Sequence, residues 1–211
     1  MPAALEWAAP VLAAAFTLWG SPVTWLEIAA FALSLWMVER NIRVDPIAWP
    51  LAIAASLLYA LLFAANRLYG EATLQFFFIA VSAWGWHQWQ RGRGDDGAAL
   101  RVHRLSTATR WRIAALTLLA WPLLGLALQR GTDSDVPFLD ALPTVGSVAG
   151  QLLLGRKLIE NWPVWFAVNV VSVVLFAWKA LWLTMLVYAV FALLSLLGWR
   201  AWRGLPEAKI R

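Results

Sequence analysis

Residues 49–64 read WPLAIAASLLYALLFA, and residues 162–177 read WPVWFAVNVVSVVLFA. Both open on Trp-Pro, both close on Leu-Phe-Ala, and they lie 113 residues apart. The same offset carries Leu68 onto Leu181, Phe78 onto Phe191, Ser82 onto Ser195, and Gly85-Trp86-x-x-Trp89 onto Gly198-Trp199-x-x-Trp202. Ser34 on Ser147 and acidic Glu27 on Asp140 extend the match upstream. Shared apolar composition matches Leu and Ala by chance. It does not place tryptophans, glycine and proline together at one constant offset.

The surroundings of the repeat identify its solvent. Of 211 residues, 62% are apolar and 14% are charged, against about 25% charged in a soluble domain. Mean hydropathy is +0.66, too apolar a chain to wrap in water. A spanning helix needs roughly 20 mostly apolar residues, and seven stretches qualify: about 22–38, 47–65, 72–89, 113–128, 138–155, 162–178 and 181–199. The breaks fall where charge, Pro or Gly cluster, as at Glu39-Arg40-Asn41 and along the polar linker from Arg91 to Arg112. Residues 1–21 are apolar but hold Glu6 and Pro10, and are read as an interfacial or re-entrant helix rather than an extra span. The N-terminus lacks a basic region, so no cleaved signal is expected.

Lys and Arg set the orientation. Fourteen of the 17 fall in loops on one side, and Arg67, Arg130 and Lys179 on the other. That bias puts the richer side, with the C-terminal tail, in the cytoplasm. It also accounts for the net charge of +5 without nucleic acid. The absence of cysteine excludes disulfides and thiolate chemistry. His87 and His103 are the only histidines and form no metal-ligand spacing, so neither a metal nor a cofactor is expected, and no enzyme chemistry is evident.

The expected fold is an all-α integral membrane protein of 3+1+3 transmembrane helices. Two three-helix repeats, 22–90 and 135–203, are joined by residues 91–134, a basic cytoplasmic loop and a linker helix, and followed by a tail, 204–211. Three spans reverse direction, and the extra helix restores it, so the repeats are expected to run parallel. Parallel repeats of this kind occur in transporters, with substrate held near mid-membrane between the halves.

Polar residues inside spans are costly and mark an interior face or a wet cavity. Trp162, Trp165, Asn169, Ser172 and Phe176 recur at +3, +4, +3, +4, on one helical face. The first repeat has Trp49, Ala52, Ser56, Tyr59 and Phe63 there. The third spans add Gln75, Phe78, Ser82 and Tyr188, Phe191, Ser195, and the fifth span adds Thr144, Ser147 and Gln151. Serines in such positions glue helices together. A carboxamide carries two donors and an acceptor, so Gln75, Gln151 and Asn169 are read as lining a cavity. Tyr59 and Tyr188 suit either role. Trp165 one turn from Asn169 suits a flat heteroaromatic ligand, through stacking plus edge hydrogen bonds. Trp86, Trp89, Trp199 and Trp202 read as an interfacial belt, and Glu160 as a cap on the following helix. Glu27, Glu71 and Asp140 lie near outer ends, which leaves no obvious carrier for proton or sodium coupling.

These residues resemble the PnuC family of nicotinamide riboside transporters over essentially 22–203. The resemblance rests on Glu39-Arg40-Asn41, Trp49-Pro50, Leu68-Tyr69 and Leu74-Gln75-Phe76-Phe77-Phe78 leading to Gly85-Trp86-x-x-Trp89. In the second half it rests on Gln151-x4-Arg156-Lys157-x2-Glu160-Asn161-Trp162-x2-Trp165-x3-Asn169 and Lys179-Ala180-Leu181-Trp182-Leu183-Thr184. Two positions depart from the family pattern: Trp182 and His87 stand where Tyr is frequent. The resemblance implies a SWEET-like duplicated fold in a bacterial inner membrane, often trimeric. It implies facilitated diffusion of a vitamin that a cytoplasmic kinase then traps, with members selective for nicotinamide riboside, thiamine or flavin. The expectation is a nicotinamide riboside uniporter with alternating access. Gln75, Gln151 and Asn169 would hydrogen-bond the ligand, Trp49, Trp162, Trp165, Tyr59 and Tyr188 would enclose it, and Ser56 and Thr144 would line the same site. The alternatives are a thiamine or other vitamin carrier and, in a different class, a membrane scaffold.

Overall fold

The computed structural model describes residues 8–18, 20–65, 69–93, 100–131, 136–178 and 182–205. Residues 1–7 and most of the expected tail, 206–211, lie outside them. Among the described residues there are seven long helices: α2 Trp25–Ile42, α3 Ala48–Ala65, α4 Tyr69–Arg91, α5 Thr107–Gly131, α6 Pro137–Gly155, α7 Asn161–Trp178 and α8 Trp182–Arg203. Each overlaps one of the seven apolar stretches. A shift of 113 residues carries α3 onto α7 end for end, and α2 and α4 onto α6 and α8 to within one residue at each end.

Five of these helices are long and apolar enough to cross a bilayer: α3, α5, α6, α7, and α8 from Thr184. The chain is a multi-pass membrane protein. The other two long helices, α2 and α4, were expected to span as well but carry charge at or near both ends: Glu27 with Glu39 and Arg40 in α2, Glu71 and Arg91 in α4. Their apolar stretches are diluted by these groups, so composition alone does not qualify them.

The N-terminal segment is a correction. In place of an interfacial or extra helix, its described part has one helical turn, α1 Ala9–Leu12, and an antiparallel hairpin, β1 Ala14–Leu18 with β2 Ser21–Thr24. Gly20, at φ 83°, supplies the left-handed turn position. The neighbouring Phe16, Thr17, Val23 and Thr24 favour strands over helix. Thr24 then starts α2 through a capping box. Its Oγ1 accepts from the Glu27 N–H at 3.2 Å, while its own N–H donates to Glu27 Oε2 at 2.7 Å. Glu27 is thus a helix-start residue.

Two compact units divide at His87 and Gln88. In the first, α2 packs on α3 through small residues, with Ala30 and Ser34 on α2 and Ala48 and Ala55 on α3 all buried. In the second, α6 packs on both α5 and α7, and α7 on α8. Trp121 Nε1 donates to Phe138 O at 2.7 Å, and Gly125 lies so close to the Phe138 ring that a Cβ there would overlap it. Without a hydrophobic drive between helices in lipid, close backbone approach of this sort supplies the packing energy.

Candidate functional site

The α7 stripe divides between two neighbours. Trp162, Asn169 and Phe176 run along α8, where they meet Gly198, Ser195 and Tyr188. Trp165 and Val168 run along α6, where they meet Gly150 and Gly146. Both glycine contacts are so tight that an added Cβ would touch or overlap the facing side chain. The face expected to line a cavity is therefore partly a helix seam.

Each expected site residue has a definite place. Asn169 is 5% exposed, and its Nδ2 donates to Ser195 Oγ at 3.3 Å. Ser195 Oγ in turn donates to Phe191 O at 2.8 Å. That arrangement uses one of the two carboxamide N–H groups. Trp165 is half-buried, with its indole against Gly150, next in sequence to buried Gln151. Thr144, seven residues before Gln151 on α6, is half-buried, and its Oγ1 donates to Asp140 O at 3.0 Å. Tyr188 stacks on Phe176, with ring centroids 5.1 Å apart, and meets Phe191 edge-on at 6.2 Å. The second unit thus brings Asn169 together with Ser195 and Tyr188 with Phe176, and sets Trp165 beside the Gln151 turn of α6.

The first unit repeats the pattern in plainer chemistry. Ser56 is buried where Asn169 stands in the second, and Tyr59 stacks on Phe63 at 6.0 Å. Gln75 is half-buried on α4. The side chain of Trp182, at the start of α8, lies outside the described ones.

Trp49 and Trp162 were expected to enclose a ligand. They are 1% and 3% exposed, and their rings press on Gly85 and Gly198. Little ring is left for a ligand, and the repeat-related pairs act as knobs seated on glycine. The belt also divides. Trp86 and Trp199 are each 37% exposed, as an interface requires, but Trp89 and Trp202 are 6% and 0% exposed. Trp89 Nε1 donates to Leu154 O at 3.0 Å, and the Trp202 ring lies 6.1 Å from that of Trp89 and 5.5 Å from that of Trp162. A buried indole finds a partner for its N–H or a ring for its face. Glu160 directly precedes α7, and its carboxylate also binds the Leu105 N–H and Arg110. Among the described residues no group of His, Asp and Glu is placed to hold a metal.

Residues 24–204 match the nicotinamide mononucleotide transporter family. The chain belongs to that family. It is a family of transporters and not of enzymes. The chain is 28% identical over 156 residues to the nicotinamide riboside transporter PnuC of Escherichia coli strain K12, covering 62% of this chain and 65% of that protein. It is 28% identical over 164 residues to the riboflavin/roseoflavin transporter RibM of Streptomyces davaonensis, covering 75% of each. A crystal structure of the vitamin B3 transporter PnuC superposes with a TM-score of 0.69 at 21% identity, covering 85% of this chain and 80% of that one. That last likeness is one of fold.

Sequence reasoning missed the glycines that place the site. Gly146-x3-Gly150 on α6 is a small-xxx-small pattern, the signature of close helix approach in membranes. It was the available signal that α7 would press Trp165 against α6.

Proposed function

We propose that the chain is a bacterial inner-membrane carrier for nicotinamide riboside, working by facilitated diffusion with alternating access. The observation that carries the reading is Asn169, a carboxamide buried in an apolar helix one turn from the half-buried indole of Trp165. A buried carboxamide is costly in lipid unless its groups are met. The Asn169 oxygen and second N–H suit the edge of a nicotinamide, and the indole suits its face. Gln151, Thr144 and Tyr188 of the same unit supply further polar and aromatic groups. The E. coli relative transports nicotinamide riboside by its name. RibM supports a second reading, since it matches at the same 28% identity over more of the chain. A flavin would use the same stacking and edge groups over a larger ring system.

Uptake into liposomes tests the substrate. Labelled nicotinamide riboside is expected to enter and stop at equal concentrations, whatever proton or sodium gradient is imposed. Entry of riboflavin alone moves the assignment to the flavin reading, and thiamine alone moves it to the thiamine alternative. Accumulation driven by either ion refutes uniport.

Orientation has its own test. The Lys and Arg bias places the C-terminus in the cytoplasm, so a reporter active only there is expected to work when fused after Arg211. Activity of a periplasm-only reporter at the same point reverses the topology.

A further inference from the structure

The turns that lead into α3 and α7 are one turn used twice. Val44 has φ 57° and Lys157 has φ 55°, and the two lie 113 residues apart. Left-handed backbone is unfavourable for residues with a Cβ. It persists where the surroundings over-determine it. The two turns are over-determined in different ways.

In the first turn the holding groups are local. Asp45 follows Val44 directly, and its Oδ1 accepts from the Ile47 N–H at 3.0 Å. Its Oδ2 pairs with Arg40 at 3.2 Å. The Ile47 N–H above all, with help from Arg40, holds the Asp45 carboxyl below its ordinary pKa.

In the second turn Leu158 stands in the place of Asp45, so that local carboxylate is gone. One local side chain remains, Asn161, whose Nδ2 donates to Leu158 O at 2.6 Å. The other holding groups come from the segment before α5 and from the first turn of α5, fifty or more residues earlier. His103 N–H donates to Lys157 O at 3.2 Å, and the Ile159 N–H donates to His103 O at 3.0 Å. Lys157 Nζ donates to Leu100 O at 3.0 Å and lies 5.0 Å from the Trp89 ring centroid. Burial there lowers the pKa of its ammonium. The Glu160 carboxylate accepts from the Leu105 N–H at 3.2 Å and from Arg110 Nε at 2.8 Å. Val102, Leu158 and Ile159 are buried along the same junction. Glu160 is immediately followed by Asn161, the first residue of α7.

We propose that residues 100–110 form a strap that restrains the first turn of α7 and thereby sets the rate of transport rather than the affinity for ligand. The strap lies outside both repeats and holds the turn into the helix that bears Trp165 and Asn169. The first repeat holds its equivalent turn with its own side chains, so the restraint on α7 can be altered without touching α3. The rate role rests on the transport reading above; the restraint itself does not.

The test uses the full chain in lipid. Glu160→Gln keeps the size of the side chain and removes the charge, and Lys157→Met keeps most of the stem and removes the ammonium. Hydrogen exchange at the Leu105, Ile159 and Val164 amides is expected to rise about tenfold or more in each variant, the scale of one lost charge-assisted hydrogen bond. Turnover in liposomes is expected to change about threefold or more while ligand Kd stays within about twofold. Should Glu160→Gln fail to insert, Arg110→Gln breaks the same ion pair from its more exposed side.

Unchanged exchange at those amides overturns the strap. Raised exchange with unchanged turnover overturns its role in rate, and a lost Kd overturns it by making Glu160 or Lys157 a ligand group. If the parent carries none of the vitamins tested, the transport reading fails, and amide exchange still decides whether the strap holds α7.

Discussion

Asn169→Leu is expected to bind nicotinamide riboside about 5- to 150-fold more weakly than the parent. The substitution keeps the volume and apolar character of the position and removes two donors and one acceptor. A hydrogen bond left unmade to a desolvated partner is worth about 1–3 kcal/mol, which sets that range of affinity. Asn169 also donates to Ser195, so the loss has two possible routes. Ser195→Ala separates them, because it removes the internal partner and leaves the carboxamide. Ser34→Ala is the structural control. Its hydroxyl donates back to Ala30 O one turn earlier, at 2.8 Å, and also meets the Tyr59 side chain, and its loss is expected to cost far less binding than the loss of Asn169. Binding calorimetry on folded variants decides the matter. Parent-like affinity in Asn169→Leu makes Asn169 a helix-seam residue and removes it from the site. Equal losses in Asn169→Leu and Ser195→Ala make it a positioning residue.

Gly198→Ala is expected to lower stability by about 1–3 kcal/mol, the range for overpacking a filled interior. A Cβ at Gly198 would overlap the Trp162 ring. That ring is 3% exposed and meets Trp202 edge-on, so it has little room to swing aside. Gly85→Ala is expected to do the same in the first unit, where the obstructing ring is that of Trp49. Gly131→Ala is the control, because a Cβ there meets nothing within 4 Å. Thermal unfolding in detergent measures all three. Parent-like stability in both Gly198→Ala and Gly85→Ala shows that the tryptophans are not locked, and it restores them as candidates to move towards a ligand.

Much of this architecture was legible in the residues. The offset that aligned Trp49-Pro50 with Trp162-Pro163 also aligned the bounds of α3 and α7, because the same local signals start and stop both helices: Pro in the first turn and an end on Leu-Phe-Ala. The site was less legible. Trp162 and Trp165 sit three residues apart on one broad face, yet one presses on α8 and the other on α6. Helical spacing names a face but not the neighbour that covers it. Trp86 and Trp89 show the same limit: both lie in the last turns of α4, one is 37% exposed and the other is 6% exposed.

The sequence by itself determined the solvent, the helices, their duplication and the family, because these depend on local composition and on order along the chain. Only the tertiary structure decided which tryptophans are core, how the α7 stripe is shared, that Ala14–Thr24 folds as a hairpin, and that the linker at Leu100–Leu105 grips the turn into α7. In water, hydrophobicity separates inside from outside, so pattern predicts burial. In a bilayer lipid tails are as apolar as Leu, and that contrast disappears. Burial then follows from close backbone approach at particular glycines and from hydrogen bonds between segments far apart in sequence. Gly146-x3-Gly150 marks such an approach but does not name the segment that meets it, and the long-range hydrogen bonds leave no periodic trace in a single chain.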